Sequence, residues 1–506
     1  MRSDLLCGAM FFLAFGLSCP SVSAQGVTAV DATRESLERI ERWNGELKAV
    51  ITVNPEAIEQ ARQLVGERAN EQLRGPLHGV PILIKDNIET LETATTAGSL
   101  ALANNRTGRD ARLVERLRSS GLVILGKANL SDWANFRSER SSSGWSGVGG
   151  QARNPYDTTR SPCGSSSGSA VAVAAGLVPL AVGTETNGSI ICPSAVNGIV
   201  GIKPTVGLIS RHGIVPISHT QDTAGPMATN VRDAAVLLTA MAGPDSDDPA
   251  SPEDASLFQR NYANYLDPEG LRGKRIGVVR SLAGFHEGVD AALDRAIDDM
   301  KAQGAEIIDD LSLPAYPEGF QQAAYDLLLY EFKHDLNAYL AGLPGPAGQL
   351  DLEQLIAFNE ANRDREMKWF LQEIFHKSQA TEGLASSTYS QALEQVGAFS
   401  RDGIDGLLRE HDLDALVSPS NTPAWVIDLV VGDNWLGSSS SFPARAGYPH
   451  ITVPMGYVHG LPVGISFYAS AYSEPELISI AHAYELASAR ARPPEGFGDW
   501  RPAVPH

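Results

Sequence analysis

The chain predicts an α/β protein: a single α/β/α sandwich around a large mixed, mostly parallel-type sheet. Three observations point there. Short apolar runs at residues 82–85, 122–125 and 178–183 alternate with segments of helical period. No low-complexity linker interrupts the stretch from about residue 75 to about residue 490. The composition, 43% apolar with 48 Gly and 30 Pro in 506 residues, is enough for one large core. The expected organisation is therefore a leader over 1–24 and one domain over 25–506, with a helical lobe at about 320–410.

Residues 5–17 (LLCGAMFFLAFGL) follow Arg2 and are too short an apolar run to span a bilayer. Val22-Ser23-Ala24 then offers a small-residue cleavage site before Gln25, so the segment reads as a signal peptide. A periplasmic or secreted mature chain without a transmembrane helix is expected. Lipidation at Cys19 is the weaker alternative, because Gly16-Leu17-Ser18 is a poor lipobox and Pro20 follows the cysteine.

Apolar spacing at Leu37, Ile40, Leu47 and Val50 predicts helices over 31–53, and a second helix over 55–74. A strand at 82–85 is followed by a helix at 111–120 and a strand at 122–125. The small residues of 169–175 predict a helix that packs closely on a sheet, ahead of a strand at 178–183. A helix at 233–241 leads into the acidic, Pro-rich surface loop DSDDPASPED. A strand at 274–279 and a helix at 288–304 follow. Residues 323–409 are mostly helical and rich in aromatics, which serve either as a substrate lobe or as core filling. Strands at 415–418, 451–454 and 463–467 and a helix at 474–490 close the fold. The loop 433–442, with Trp435 and several serines, is a candidate pocket rim.

The chemistry concentrates in residues 161–205. Gly164-Ser165-Ser166-Ser167-Gly168 and Thr186-Asn187-Gly188-Ser189 are two Gly-Ser turns on either side of a small-residue helix and a short strand. Gly-rich turns bring backbone N–H groups close to a substrate, and a serine beside them suggests a hydroxyl nucleophile at an oxyanion site. Upstream, Lys85 ends the apolar run 80–84. Burial disfavours an ammonium and makes a neutral amine base available. A snorkelling lysine, or one paired with the adjacent Asp86, accounts for the same fragment.

These segments (GVPILIKDNI, GSSSGSA, ETNGSI and GIKPT, together with LGKANLSDWA, SQDTAGPM, DALVSPS, ITVPMG and GLPVGISF) resemble the amidase signature family over nearly the whole mature chain, and among its members the bacterial peptide amidases most. The resemblance implies the amidase signature fold and hydrolysis of carboxamide C–N bonds by a Ser–cis-Ser–Lys triad without cofactor. Residue by residue, Ser189 matches the nucleophile, Ser165 the cis-configured middle serine and Lys85 the base. The backbone N–H groups of Thr186, Asn187, Gly188 and Ser189 match the oxyanion hole. Two departures stand out. Asn187-Gly188 replaces the Gly-Gly of many members, a position where Asn tolerates positive φ. GSSSGS replaces GGSSGG, with Ser165 and Ser189 still 24 residues apart. Asp222 is a candidate support of the nucleophile turn, or simply a turn-capping Asp. Ser166 is read as a structural hydroxyl. Trp133, Asn135 and Phe136 are read as facing substrate or filling core, and Arg160 as structural.

The same residues admit other functions. Gly164–Gly168 also fits a G-x-S-x-G elbow with Ser166 as nucleophile, but neither His450 nor His482 carries a triad signature. Residues 121–127 miss a P-loop, because the spacer is an apolar strand and Ala128 replaces Ser or Thr. Lys127 is then structural. The eleven histidines include no H-E-x-x-H or close pair, so no metal is expected. A net charge of −20 argues against nucleic-acid and anionic-membrane partners. A small-molecule or peptide amide is the expected partner. A general aliphatic or aryl amidase is the main alternative. A tRNA-linked amidotransferase component fits poorly with a leader and an acidic chain. Cleavage would leave Cys163 and Cys192, which flank the serine turns. An oxidising compartment permits a bridge, but small buried thiols pack well in such a cassette, and free cysteines are the expectation.

Overall fold

The computed structural model describes residues 27–500 and 502–503. The leader, Cys7 and Cys19 lie outside them. Among the described residues there are thirteen strands: β1 (Val50–Val53), β2 (Pro81–Lys85), β3 (Val123–Ala128), β4 (Trp145–Ser146), β5 (Gly150–Gln151), β6 (Leu180–Glu185), β7 (Val200–Lys203), β8 (Thr223–Ala228), β9 (Arg275–Val279), β10 (Glu306–Leu311), β11 (Ala415–Pro419), β12 (His450–Val458) and β13 (Leu461–Tyr468). Eleven of them make one sheet in the order β1-β3-β2-β6-β8-β7-β12-β13-β11-β9-β10, and β4 pairs with β5 alone.

The sheet is mixed, as expected, but it is not mostly parallel. Parallel pairing is confined to β3-β2-β6 on one side and β11-β9-β10 on the other. The middle, from β6 through β8, β7, β12 and β13 to β11, is antiparallel throughout. Strand β12 runs into β13 through a tight turn, a connection available only to antiparallel neighbours.

Helices cover both faces. Within β2, Ile82 and Ile84 enter the core under the helices Arg112–Ser119 and Val231–Met241, while Leu83 enters the opposite core under Ala29–Leu47 and Ser167–Ala174. Strand β3 splits its residues in the same way, Ile124 to one core and Val123 and Leu125 to the other. This period-2 division of apolar side chains is what a strand buried on both faces requires, with Lys85 and Lys127 the exceptions near the carboxyl ends. Each fully buried branched residue contributes roughly 1.5–3 kcal/mol. The helix Ser167–Ala174 carries no side chain larger than valine, and it lies close to the segments that flank β1 and β3. A Cβ on Gly168 would stand 2.2 Å from the Ala49 carbonyl oxygen.

Residues 50–53 depart from the expected helix. The helix Ala29–Leu47 ends on Lys48 in the left-handed region (φ 52°), and the β-branched run Val-Ile-Thr-Val pairs antiparallel with β3. Strands β7, β8 and β10 carry no clear signal in the sequence. Strand β8 (TAGPMA) holds Gly225 and Pro226, residues that argue against a strand locally, yet it occupies a central position. Between residues 320 and 410 lie the helices Phe320–Ala341, Leu352–Ala361, Arg363–Glu366, Glu373–Gln379 and Ser387–Glu410. Leu329, Phe332 and Phe375 pack there against Trp133, Phe136 and Ile217.

Candidate active site

Lys85 stands at the carboxyl end of β2, and Thr184 near the carboxyl end of the parallel neighbour β6. Crevices outside the carboxyl ends of parallel strands are the usual ligand sites of open α/β sheets. The turn 164–168 approaches from one side and the turn 186–189, which leaves β6, from the other. Ser166 ties them together: its N–H donates to the Ser189 carbonyl (3.2 Å), and its Oγ donates to the Thr184 carbonyl (3.0 Å) and accepts from the Thr184 N–H (3.1 Å). Its hydroxyl is fully committed to this brace and fully buried. His450 is bound to Ser466 and does not partner it.

The Lys85 side chain is fully buried. Its Nζ lies 2.7 Å from Ser165 Oγ, 3.1 Å from the Thr184 carbonyl oxygen and 2.7 Å from Thr184 Oγ1. Asn87 Nδ2 donates to that same Thr184 Oγ1 at 3.0 Å. Burial brings the lysine down from 10.5 to about 7, with the Asp222 and Glu185 charges opposing the shift. A neutral amine has two N–H donors and one lone pair. Thr184 accepts both donors, so the lone pair is left for the Ser165 hydroxyl. Asp86 does not pair with Lys85. Its carboxylate faces the buried Lys127 ammonium at 3.2 Å. The adjacent charge is thereby spoken for, and Lys85 is left without a carboxylate in contact.

Ser165 is buried and follows a cis Gly164–Ser165 peptide bond, and its carbonyl accepts from Ser131 N–H at 3.0 Å. Ser189 is 8% exposed and lines a cavity of about 340 Å³ together with Thr186, Asn187 and Gly188. Among the described residues, the N–H groups of Thr186, Asn187, Gly188 and Ser189 have no protein acceptor. Four free donors around a hydroxyl are the elements an oxyanion requires. The positive φ of the turn falls on Gly188 (80°), not on Asn187. Asn187 instead takes a hydrogen bond from Ser440 Oγ at 2.7 Å, so its side chain joins the turn to the loop 438–441.

Asp222 accepts from Thr186 Oγ1 at 2.6 Å, and from the Ile217 and Ser218 N–H groups at 2.7 and 2.8 Å. Burial pushes its carboxyl up to about 6, against the pull of these hydrogen bonds. Glu185 acts from below, where its Oε2 accepts from Ile190 N–H (2.8 Å) and Ile191 N–H (3.1 Å) just past Ser189. Sequence reasoning misses Thr184, Asn87, Glu185 and Ser440. Only Glu185, within ETNGSI, and Asn87, within GVPILIKDNI, carry a local signal. Asn135 and Phe136 line the cavity, whereas Trp133 is buried in the core beside Phe375. Trp435 and Asp433 stand at its rim, and Asp433 accepts from Ser143 N–H and Trp425 Nε1. Arg160 donates to the Ala424 carbonyl, a structural contact.

The cysteines are not free. Cys163 and Cys192 form a disulfide that lines the same cavity. The turn carrying Cys163 and the helix Ile191–Val196 lie side by side, with the two Cα atoms 6.0 Å apart, within bridging range. A second cavity, of about 550 Å³, abuts the first across Ala134, Thr186 and Ile217, but Ser189 does not line it.

The Amidase family model matches residues 31–478, and the chain belongs to that family of amide-hydrolysing enzymes. It is similar to a probable amidase of Arabidopsis thaliana, 43% identical over 470 residues, covering 91% of this chain and 86% of the relative. The solved peptide amidase of Stenotrophomonas maltophilia matches with a TM-score of 0.88 at 48% identity, over 92% of this chain and 95% of that one. A component of the glutamyl-tRNA(Gln) amidotransferase of Symbiobacterium thermophilum is 36% identical over 475 residues, covering 91% of this chain and 93% of the relative.

Proposed function

We propose that this enzyme hydrolyses the C-terminal carboxamide of amidated peptides, releasing ammonia and the peptide acid. Ser189 Oγ attacks the amide carbon. Its proton passes to Ser165 Oγ as the Ser165 proton passes to neutral Lys85 Nζ. The oxyanion is held by the N–H groups of the turn 186–189. The C–N bond breaks as the relay returns a proton to the leaving nitrogen. Water then attacks the acyl-Ser189 ester by the same route. The observation that carries this reading is the Lys85 lone pair, directed at Ser165 by Thr184.

The likeness to a peptide amidase supports the substrate class. So does the cavity chemistry: among its described lining residues there is no Lys or Arg, and Asp433 is present. A neutral carboxamide suits it, whereas the product carboxylate meets no cation and leaves. A periplasmic or secreted location is part of the proposal. The bridge between Cys163 and Cys192 supports it, since such bonds persist in oxidising compartments. No helix among the described residues is long and apolar enough to cross a membrane.

Mass spectrometry of a peptide amide incubated with the enzyme, with and without ATP, tests the assignment. A gain of about one dalton from exchange of NH₂ for OH, independent of ATP, is expected. Internal cleavage, or an inert peptide amide alongside rapid hydrolysis of small aryl amides, would replace the peptide with a general amide substrate. A requirement for ATP and a partner protein would favour the amidotransferase reading.

A further inference from the structure

Outside the catalytic cavity, His219 and Asp335 line the larger cavity, and His334 stands beside them. His219 lies in the segment that holds Asp222, and His334 and Asp335 sit on the helix Phe320–Ala341. One potential ligand atom from each lies within 4.8 Å of the others. His219 Nδ1 is 2.8 Å from one Asp335 oxygen and 3.0 Å from the other, and His334 Nδ1 is 2.8 Å from the second.

The tautomer of His219 follows from its other side. Tyr389 donates its hydroxyl proton to Glu331 Oε1 at 3.1 Å, so its oxygen can face His219 Nε2, 3.1 Å away, only as an acceptor. Nε2 therefore carries the ring proton. A lone pair on Nδ1 facing a carboxylate is repulsive, so Nδ1 carries either a second proton, which hydrogen bonding to Asp335 favours by raising the His219 pKa, or a metal cation that displaces it. His334 presents a second ring nitrogen to the same carboxylate. Glu331, with its side chain fully buried, adds another negative charge behind the ring. The nearby Arg211 guanidinium is paired with Asp248, which offsets its repulsion of a cation.

We propose that His219 Nδ1, His334 Nδ1 and the Asp335 carboxylate bind one divalent d-block cation of the zinc class, with a fourth position open to water. Two imidazoles and a carboxylate are ligands suited to zinc, nickel or copper. Tetrahedral zinc holds such ligands about 2.0–2.2 Å from the metal, roughly 3.3 Å from one another. The present contacts of 2.8–3.0 Å are those of hydrogen bonds and must open towards that spacing as a metal displaces the shared proton, which the half-exposed His334 can accommodate by rotating. The His219 backbone N–H donates to Asp335 at 2.9 Å and already ties the loop to the helix. The site is separate from the Ser189 chemistry. Chain spacing concealed it, because His219 and His334 are 115 residues apart.

The test is isothermal titration of zinc into untagged full-length enzyme freed of metal by chelator dialysis. One equivalent should bind, and cobalt(II) in its place should give the visible absorption of a tetrahedral nitrogen–oxygen site. His334→Ala and Asp335→Asn should each weaken zinc binding at least tenfold, with melting temperatures recorded to confirm folding. His376→Ala, on an exposed helix face elsewhere, should bind as wild type. Absence of stoichiometric zinc binding would overturn the proposal, as would binding that survives both substitutions. Neither outcome depends on amidase activity.

Discussion

Removing the amine of Lys85 tests the relay and its burial together. Lys85→Met keeps the volume and deletes the base. Turnover should fall by roughly 10³-fold or more, the scale seen when one member of a catalytic unit is lost. In the wild type, a base with a pKa of about 7 makes kcat/KM fall about tenfold for each pH unit below that value. The same shift predicts stability. The lysine is brought from 10.5 in the unfolded chain to about 7 in the fold, so between these values the unfolded chain binds more protons. Stability contributed by this site therefore rises with pH across that window, and the cost of burying the charge is fully present below it. From about pH 7 to about pH 9 the wild type should gain about 2 kcal/mol relative to Lys85→Met. Ammonia release over a pH series gives the first quantity, and urea denaturation of both proteins at matched pH gives the second. Lys85→Arg should not restore turnover, because a guanidinium stays charged. A flat rate profile below neutrality, or an active Lys85→Arg enzyme, would refute the reasoning.

The remaining predictions concern the surrounding shell. Ser189→Ala should abolish hydrolysis in a folded protein, while Ser166→Ala should cost about 1–3 kcal/mol of stability through its lost brace and still keep a reactive Ser189, seen as its phosphonylation by a serine-directed fluorophosphonate with loss of fluoride. Asp222→Asn removes the charge that opposes the lowering of Lys85, so the acid limb of the rate profile should move to lower pH. A limb that stays put or moves up would contradict the assigned coupling. Cys163→Ser with Cys192→Ser opens a bridge across 29 residues of sequence and should lower stability by about 3–4 kcal/mol, read as a drop in denaturation midpoint against wild type under non-reducing conditions. Chelator treatment should leave ammonia release intact, since two serines and a lysine supply the proposed acid–base set, and loss restored by zinc would show a metal in that chemistry.

Local pattern determined much of this protein. The two Gly-Ser turns and the lysine at the end of an apolar run can be read from a few neighbouring residues, because turn chemistry and strand period are short-range properties. The alternation of these runs with helical segments was enough for a layered α/β fold. Tertiary structure decided what depends on partners distant in the chain. Strand β8, with its Gly and Pro, is a strand because β6 and β7 offer it hydrogen bonds on both sides. Asp86 is claimed by Lys127 rather than by its neighbour Lys85, because consecutive residues at a strand end point to opposite sides and β3 brings Lys127 alongside. The lone pair of Lys85 is aimed by Thr184, 99 residues away, through the pairing of β2 with β6. Cys163 meets Cys192, and His219 meets His334, for the same reason: the order of strands and the packing of helices on them set which distant side chains share a wall, and no local period encodes that order.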